Sequence, residues 1–265
     1  MSHIDITDLS DRFDPLANVD YSININKCSI GLSEANKIVG LLNGRKITSL
    51  TLREAAISDE ALDVIAQALE KVTSSIHVYL DENNMGDAGA CALAQALKNK
   101  NVKTLNLSNN RISDAGAVCL AASLLNNKNT SLSLTKNKIG AIGAEALVKA
   151  WSYHSNTSLI DLSDNNIGDV GAKRIALALK DHPGKVKTLW LRRNEIGLEG
   201  DKALAQHLPS SVKEVVYRTK KVSFEEYSKK HPYIATATVL ITLGMAAFMK
   251  FDEDIEGLIH QRTAR

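Results

Sequence analysis

One unit of about 27 residues is repeated along the chain, and this period limits the possible folds more than any other feature. Its clearest copy reads TLNLSNNRISDAGA, from Thr104 to Ala117. When the copies are aligned on their Asn position, the seven anchors are spaced by 27, 28, 27, 27, 28 and 29 residues. These anchors are Cys28, Ala55, Asn83, Asn110, Asn137, Asn165 and Asn194. Such a chain stacks similar supersecondary units in a row, because one unit cannot bury its apolar face alone.

The first half of the unit has the pattern of a strand followed by a turn. Leu105 and Leu107 alternate, as the core-facing residues of a short strand do. Asn110 follows at a turn, where its side-chain amide can satisfy backbone groups that would otherwise be buried without partners. Ile112 is expected to pack beneath it. We therefore predict a structural role for the Asn positions.

The second half of the unit has the pattern of a helix. Gly116 lies at its start, and Ser113 or Asp114 is the predicted N-cap. The apolar face of this helix is predicted to carry Val118, Leu120, Ala121 and Leu124.

The pattern LxLxxNxIxxxG at this period resembles the leucine-rich repeat of the ribonuclease-inhibitor type. The resemblance implies an α/β solenoid, a horseshoe of about seven to eight repeats with parallel strands on the concave face and helices on the convex face. We expect an N-terminal segment at 1–20, the solenoid at 21–219 and a C-terminal segment at 220–265. A last strand at VKEVVYR, from Val212, would begin an eighth copy. The two degenerate copies, which have Cys28 and Ala55 at the Asn position, are interpreted as an N-terminal cap.

Composition limits the classes of function and the cellular environment that we expect for this chain. The net charge of +2 gives no indication of a nucleic-acid-binding protein. Cys28, Cys91 and Cys119 form no CxxC pair and lie where small buried residues are expected, which predicts unpaired thiols and a reducing, cytoplasmic environment. The acidic N-terminus MSHIDITDLSDRFD has no apolar core, so we expect no secretory signal peptide.

The sequence shows no pattern of catalytic or metal-ligating residues, so we expect no enzyme activity, no metal and no cofactor. The strongest metal candidate is His154 with His182, at equivalent places in neighbouring repeats. Neighbouring helices are roughly 8–10 Å apart, which is wide for one shared ion. Histidine is also favoured near helix C-termini by the helix dipole, and we interpret both as solvated residues.

The repeat register predicts which side chains line the concave face, because residues between and just after the core positions point away from the core. The middle of this face is expected to be small and hydroxylated. We predict that a partner protein binds its aromatic and charged members, which are Tyr79, Asp81, Glu82, Asp161, Asp164, Trp190, Arg192, Arg193 and Arg218.

Trp190, Arg192 and Arg193 are the predicted anchor for an acidic patch on that partner, since Trp, Tyr and Arg dominate binding energy at interfaces. Trp190 is expected to be exposed because Leu189 and Leu191 already fill the core positions around it. The alternative is that a C-terminal cap covers Trp190.

The segment PYIATATVLITLGMAAFM, Pro232 to Met249, has 18 residues without a charge. A helix that is apolar all round is either buried or in a membrane. Two interpretations stay open: a cap that closes the solenoid, and a membrane anchor with Thr238, Thr242 and Ala246 on one small-residue face.

Function is therefore expected from a surface, as a non-enzymatic protein-interaction module. A similarity to leucine-rich repeat effectors of intracellular bacteria implies an effector that acts in a host cell, and the acidic residues Asp252, Glu253, Asp254 and Glu256 are similar to the transport signals of such effectors. One rival function is regulation of a small GTPase, as in the Ran GTPase-activating protein, with Asn109 or Asp164 orienting water. The other is a membrane-tethered scaffold.

Overall fold

The computed structural model describes residues 21–43, 46–98, 100–124, 131–152, 159–181, 188–208 and 214–216. Strands and helices alternate throughout these ranges. The strands are β1 Tyr21–Asn26, β2 Ile47–Arg53, β3 Ile76–Tyr79, β4 Val102–Asn106, β5 Ser131–Ser133, β6 Leu159–Asp161, β7 Thr188–Trp190 and β8 Glu214–Val216. The helices are α1 Leu32–Leu42, α2 Asp59–Leu69, α3 Asp87–Leu97, α4 Asp114–Leu124, α5 Ala141–Ser152, α6 Gly168–Asp181 and α7 Leu198–His207.

All eight described strands form one parallel sheet in chain order. Equivalent residues pair from repeat to repeat, so that Leu105 lies opposite Leu132 and Leu189 lies opposite Val215. Each helix packs against its neighbours in sequence, with the helices on one side of the sheet. The predicted α/β solenoid is confirmed, and β8 confirms the strand expected near Val212.

The core lies between the sheet and the helices. Leu105 and Leu107 are both fully buried, as their alternation predicts, and Leu120 of α4 meets them from the helix side. Truncation of such a leucine to alanine typically costs about 2–5 kcal/mol of stability. Val118 was predicted on the buried face of α4, and this prediction is wrong: its side chain is 42% exposed, because it lies on the outer surface of the helix.

The Asn anchors form a buried ladder that satisfies the turn backbone. The side-chain Nδ2 of Asn110 donates to the carbonyls of Leu80 and Leu107, and its Oδ1 accepts from the backbone N–H groups of Asn83 and Met85. The predicted structural role of these residues is confirmed. The degenerate second copy takes part in the same ladder, because the N–H of Ala55 donates to Oδ1 of Asn83.

The residue before each anchor has a left-handed backbone. Its φ lies between 49° and 64° in all seven described turns, at Lys27, Glu54, Glu82, Asn109, Lys136, Asp164 and Arg193. None of these residues is glycine, and the five that are neither Asn nor Asp adopt a backbone conformation that costs roughly 1–2 kcal/mol each. Their side chains therefore lie beyond the strand ends, on the edge of the solenoid where strands lead into helices.

The N-termini of α4, α5 and α7 are capped from the preceding repeat, whereas α2 is capped by its own Ser58, whose hydroxyl accepts the N–H of Ala61. Oδ1 of Asp87 accepts from the N–H groups of Ser113 and Gly116 at 2.7 and 3.0 Å, and its Oδ2 accepts from the Ser113 hydroxyl at 2.6 Å. A Cβ at Gly116 would lie 2.6 Å from Oδ1 of Asp87, so this close approach requires glycine. Ser113 precedes α4 as predicted, but it donates to Asp87 instead of capping its own helix.

Asp114 and Asp169 repeat this arrangement. Oδ1 of Asp114 accepts from Gly140 and Gly143, and Oδ1 of Asp169 accepts from Gly197 and Gly200, as two pairs of N–H groups one repeat away. In α5, the helix between these two, Ala141 occupies the position of the capping aspartate. At the start of the next helix, α6, Gly168 adopts a φ of 60° and donates its N–H to the carbonyl of Asn194.

Cys91 of α3 and Cys119 of α4 form a disulfide, with Cα atoms 5.1 Å apart. The prediction of three unpaired cysteines is therefore wrong, and the inference of a reducing environment loses its basis. Adjacent helices bring the two residues together although they are 28 positions apart in sequence. Cys28 is a free, half-buried thiol, and burial, followed by the charge of Glu34, raises its pKa.

Candidate functional site on the concave face

An aromatic pair lies on β3, in the third repeat of the concave face. Tyr79 is half-buried and stacks on His77, with ring centroids 6.5 Å apart and planes 5° from parallel. Nδ1 of His77 lies 3.0 Å from Oγ1 of Thr104 on the next strand. These contacts hold the Tyr79 ring in one orientation on the sheet.

Asp81 was predicted to be exposed, and this prediction is wrong. The side chain is 4% exposed, because Arg53 and Asn106 cover it from the two neighbouring repeats. Nε of Arg53 donates to its Oδ2 at 2.6 Å, and Nδ2 of Asn106 donates to its Oδ1 at 3.1 Å. Asp81 therefore positions Arg53, which is half-exposed, rather than facing a partner directly. Glu82 is exposed in the following turn, as predicted.

The middle of the face is small and hydroxylated, as predicted. Oγ of Ser108 lies 2.7 Å from Oγ of Ser133 and also donates to Oδ1 of Asn106 at 2.7 Å. Ser133 in turn lies 3.4 Å from Oγ1 of Thr135. The hydroxyls therefore form a connected row with fixed positions across the fourth and fifth repeats.

Two predicted site residues bind each other at the C-terminal end of the face. Nη1 of Arg193 lies 3.1 Å from Oδ1 of Asp164, an ion pair between neighbouring turns that leaves Arg193 mostly exposed. Asp161, on β6, accepts the N–H of Ser163 at 2.9 Å. The acidic and basic residues of this end are thus partly neutralised by one another.

Asn109, the other residue considered for orienting water, is exposed in its turn.

Trp190 is half-buried, whereas full exposure was expected. Asp161 and Val216 are its neighbours in strand register, and Val216 is itself buried. The indole Nε1 is buried and has no hydrogen-bond acceptor among the described residues. Arg192 is half-buried and makes no ion pair within the described part of the chain. Arg218 lies outside the described residues.

The sequence analysis missed the residues directly after the Asn anchors. Arg111 and Lys138 occupy this position and are exposed, and their N–H groups donate to the carbonyls of Met85 and Ile112 one repeat earlier. The sequence signal was available, because these positions are fixed by the same register as the anchors. It was overlooked because only residues in or just after the strands were assigned to the surface.

The described ranges contain no group of three or more His, Cys, Asp or Glu side chains able to hold a metal ion. His154 and His182 lie outside these ranges. No helix within them is long and apolar enough to cross a membrane, and residues 232–249 also lie outside them.

Comparison with known proteins identifies the repeat. A family model described as "Leucine Rich repeat" matches residues 98–121, 130–148 and 155–176. A solved structure titled "Leiomodin-1 Actin-Binding Site 2 (ABS2)" is similar at 18% identity, covering 88% of this chain and 98% of that one with a TM-score of 0.39. The search of curated proteins gives no match. The match assigns leucine-rich repeats to these three stretches, and the parallel sheet in chain order has the alternation of strand and helix that such repeats build.

Proposed function

We propose that the chain is a non-enzymatic module that binds a partner protein on its concave face. The observation that carries this proposal is the arrangement of the surface: seven successive repeats present side chains on one rigid sheet and one row of turns. Surfaces held in place before binding lose little conformational entropy when a partner docks. The ribonuclease-inhibitor type remains our assignment for the repeat, on its length and its full helix.

Trp190 and Arg192 are the proposed anchor at the C-terminal end of this face. Both side chains are half-buried, and Arg192 has no acidic neighbour that neutralises it within the described residues. Trp and Arg are enriched among the residues that contribute most to interface energy. A carboxylate on the partner can therefore pair with Arg192 beside the indole ring.

Arg193 can also contribute to this anchor, although it is paired with Asp164. Exposed ion pairs of this kind contribute about 0–1 kcal/mol. Arg193, with 64% of its side chain exposed, can exchange Asp164 for a carboxylate of the partner at small cost. At the opposite end, Tyr79, Glu82 and the Arg53 held by Asp81 provide a second set of contacts.

Affinity capture tests the proposal. The full chain is compared with a Trp190→Ala, Arg192→Glu, Arg193→Glu variant, using a eukaryotic lysate because the resemblance to bacterial effectors makes host proteins the first class to examine. The control variant Leu177→Ala, Lys173→Glu, Lys180→Glu makes matched changes on the exposed face of α6. We expect a protein, identified by mass spectrometry, that the native chain and the control capture and the first variant loses.

Two outcomes contradict this function. Equal capture by all three chains would move binding away from the anchor, and loss from both variants would attribute it to a general change in charge. The thermal unfolding temperature of each variant is measured first, so that loss of capture is compared only between folded chains.

A further inference from the structure

We propose that Arg111, Lys136 and Lys138 form a cationic cluster that binds a short acidic segment of the partner protein. This inference rests on the concave-face function proposed above and gives the chemistry of what that face recognises. The cluster lies in the turns of the fourth and fifth repeats, beside the hydroxyl row of Ser108, Ser133 and Thr135.

The backbone places the three cationic residues in two neighbouring turns. Arg111 directly follows the anchor Asn110, while Lys136 and Lys138 flank the anchor Asn137. The N–H of Lys138 donates to the carbonyl of Ile112 at 2.8 Å, which joins the two turns directly. Since neighbouring strands are about 4.8 Å apart, the two turns lie roughly one strand spacing from each other.

The cluster keeps its charge available for a ligand. All three side chains are exposed, and none forms an ion pair with an acidic residue of the described ranges. The acidic residues of the adjoining helix starts are Asp87 and Asp114, and their Oδ1 atoms each accept two backbone N–H groups at the N-terminus of the next helix. Helix N-termini carry partial positive charge, which offsets these carboxylates locally.

The width of the cluster indicates the size of the ligand. The same turn position carries Glu82 in the third repeat, neutral Asn109 in the fourth, Lys136 in the fifth and Asp164 in the sixth. Backbone hydrogen bonds join these turns in order. The N–H of Glu82 donates to the carbonyl of Ser108, the N–H of Asn109 to the carbonyl of Thr135, and the N–H of Lys136 to the carbonyl of Ser163. The positive surface is therefore two repeats wide, about 10 Å. It is bounded by Glu82 on one side and, on the other, by Asp164, which is itself paired with Arg193.

These boundaries favour a short acidic protein segment over nucleic acid. A long polyanion that follows the row of turns toward the third repeat would place phosphates against the exposed Glu82. The strand residues beside the cluster are Thr104, Asn106, Ser131 and Ser133, which offer no aromatic ring for base stacking. Two or three neighbouring carboxylates fit this surface, with hydroxyl donors from the serine and threonine side chains next to it.

Binding of a synthetic peptide tests the inference. The probe has three adjacent glutamates between glycine–serine flanks and carries a neutral fluorophore, and its matched control replaces each glutamate with glutamine. Fluorescence anisotropy compares the full chain with an Arg111→Gln, Lys136→Gln, Lys138→Gln variant. The control variant Lys37→Gln, Lys173→Gln, Lys180→Gln removes three exposed cations from α1 and α6.

We expect the cluster variant to raise the Kd of the glutamate peptide by at least about tenfold, and the control variant to change it by less than about twofold. The glutamine peptide should bind far more weakly than the glutamate peptide. Equal weakening by both variants, equal binding of both peptides, or tighter binding of a short single-stranded DNA by the native chain would each overturn the inference.

The capture experiment separates this inference from the function on which it rests. A partner that the Trp190→Ala, Arg192→Glu, Arg193→Glu variant loses and the cluster variant retains would overturn the cationic cluster and leave the concave face in place. A partner retained by both would overturn both proposals. All six substituted residues of the two glutamine variants are exposed, and we expect unchanged thermal unfolding temperatures as the folding control.

Discussion

Nε of Arg53 donates to Oδ2 of Asp81 at 2.6 Å, and this bond joins the second and third repeats on the concave face. The two partners are unequal, since the Asp81 side chain is 4% exposed and the Arg53 side chain is 50% exposed. The loss of stability should therefore depend on which of the two side chains is removed.

Arg53→Ala should cost more stability than Asp81→Ala. Loss of the guanidinium leaves a buried carboxylate with Asn106 as its remaining side-chain donor, whereas loss of the carboxylate leaves a cation that water can reach. We expect about 2–3 kcal/mol for Arg53→Ala and about 1–2 kcal/mol for Asp81→Ala, measured by urea denaturation. Glu82→Ala is the control, with almost no change. The reverse order would show that the pair does not carry the buried charge as described.

Asp87→Ala should lower the free energy of unfolding by about 1–2 kcal/mol at neutral pH, because it removes the acceptor of the Ser113 and Gly116 N–H groups at the start of α4. Asp59→Ala, at the equivalent exposed position of α2, should have a much smaller effect. Urea denaturation of both variants gives the comparison, and equal losses would contradict the capping role of Asp87.

The contribution of Asp87 should also depend on pH. Burial acts to raise its pKa, but the hydrogen bonds from Ser113 and Gly116 outweigh it and hold the pKa below the ordinary value. The folded state therefore binds this proton less readily than the unfolded state does, so the stabilisation is present above the unfolded pKa, about 3.9, and is lost as the pH falls through the folded pKa. The stability difference between native chain and Asp87→Ala should shrink in that acid range. A difference that stays constant down to the acid limit of folding would contradict the lowered pKa.

Reduction of the Cys91–Cys119 disulfide should destabilise the chain. The bridge closes a loop with a sequence separation of 28, for which the chain-entropy relation gives roughly 3–4 kcal/mol. Thermal unfolding with and without reductant measures the effect, and a Cys91→Ser, Cys119→Ser variant should not respond to reductant. Titration of three free thiols in the oxidised, denatured protein would contradict the pairing.

The full chain should remain in solution when it is mixed with lipid vesicles, if residues 232–249 form a cap rather than an anchor. The expectation follows from composition: the uncharged segment contains four alanines and three threonines, which makes it only moderately apolar. Flotation of the full chain, and of a chain truncated after His231, distinguishes the two interpretations. Flotation that is lost on truncation would establish the membrane anchor.

Local and repeated features of the sequence predicted most of the fold. The period, the alternation of Leu105 with Leu107 and the turn at Asn110 each depend on neighbours in the same unit, and copies of one unit reinforce the pattern. The candidate site was predicted less well. The side of the sheet was correct for Tyr79, but the burial of Asp81, the half-burial of Trp190 and the pairing of Asp164 with Arg193 were missed.

The sequence by itself determined the order of strands and helices and the register in which the repeats stack. The tertiary structure decided which side chains of neighbouring repeats meet. Cys91 lies eight residues after its anchor and Cys119 nine after its own, yet they bond, while Asp87 caps a helix that begins 27 residues later. The physical reason is that hydrophobic periodicity constrains each unit alone, whereas contacts between units depend on how one helix and one turn pack against the next.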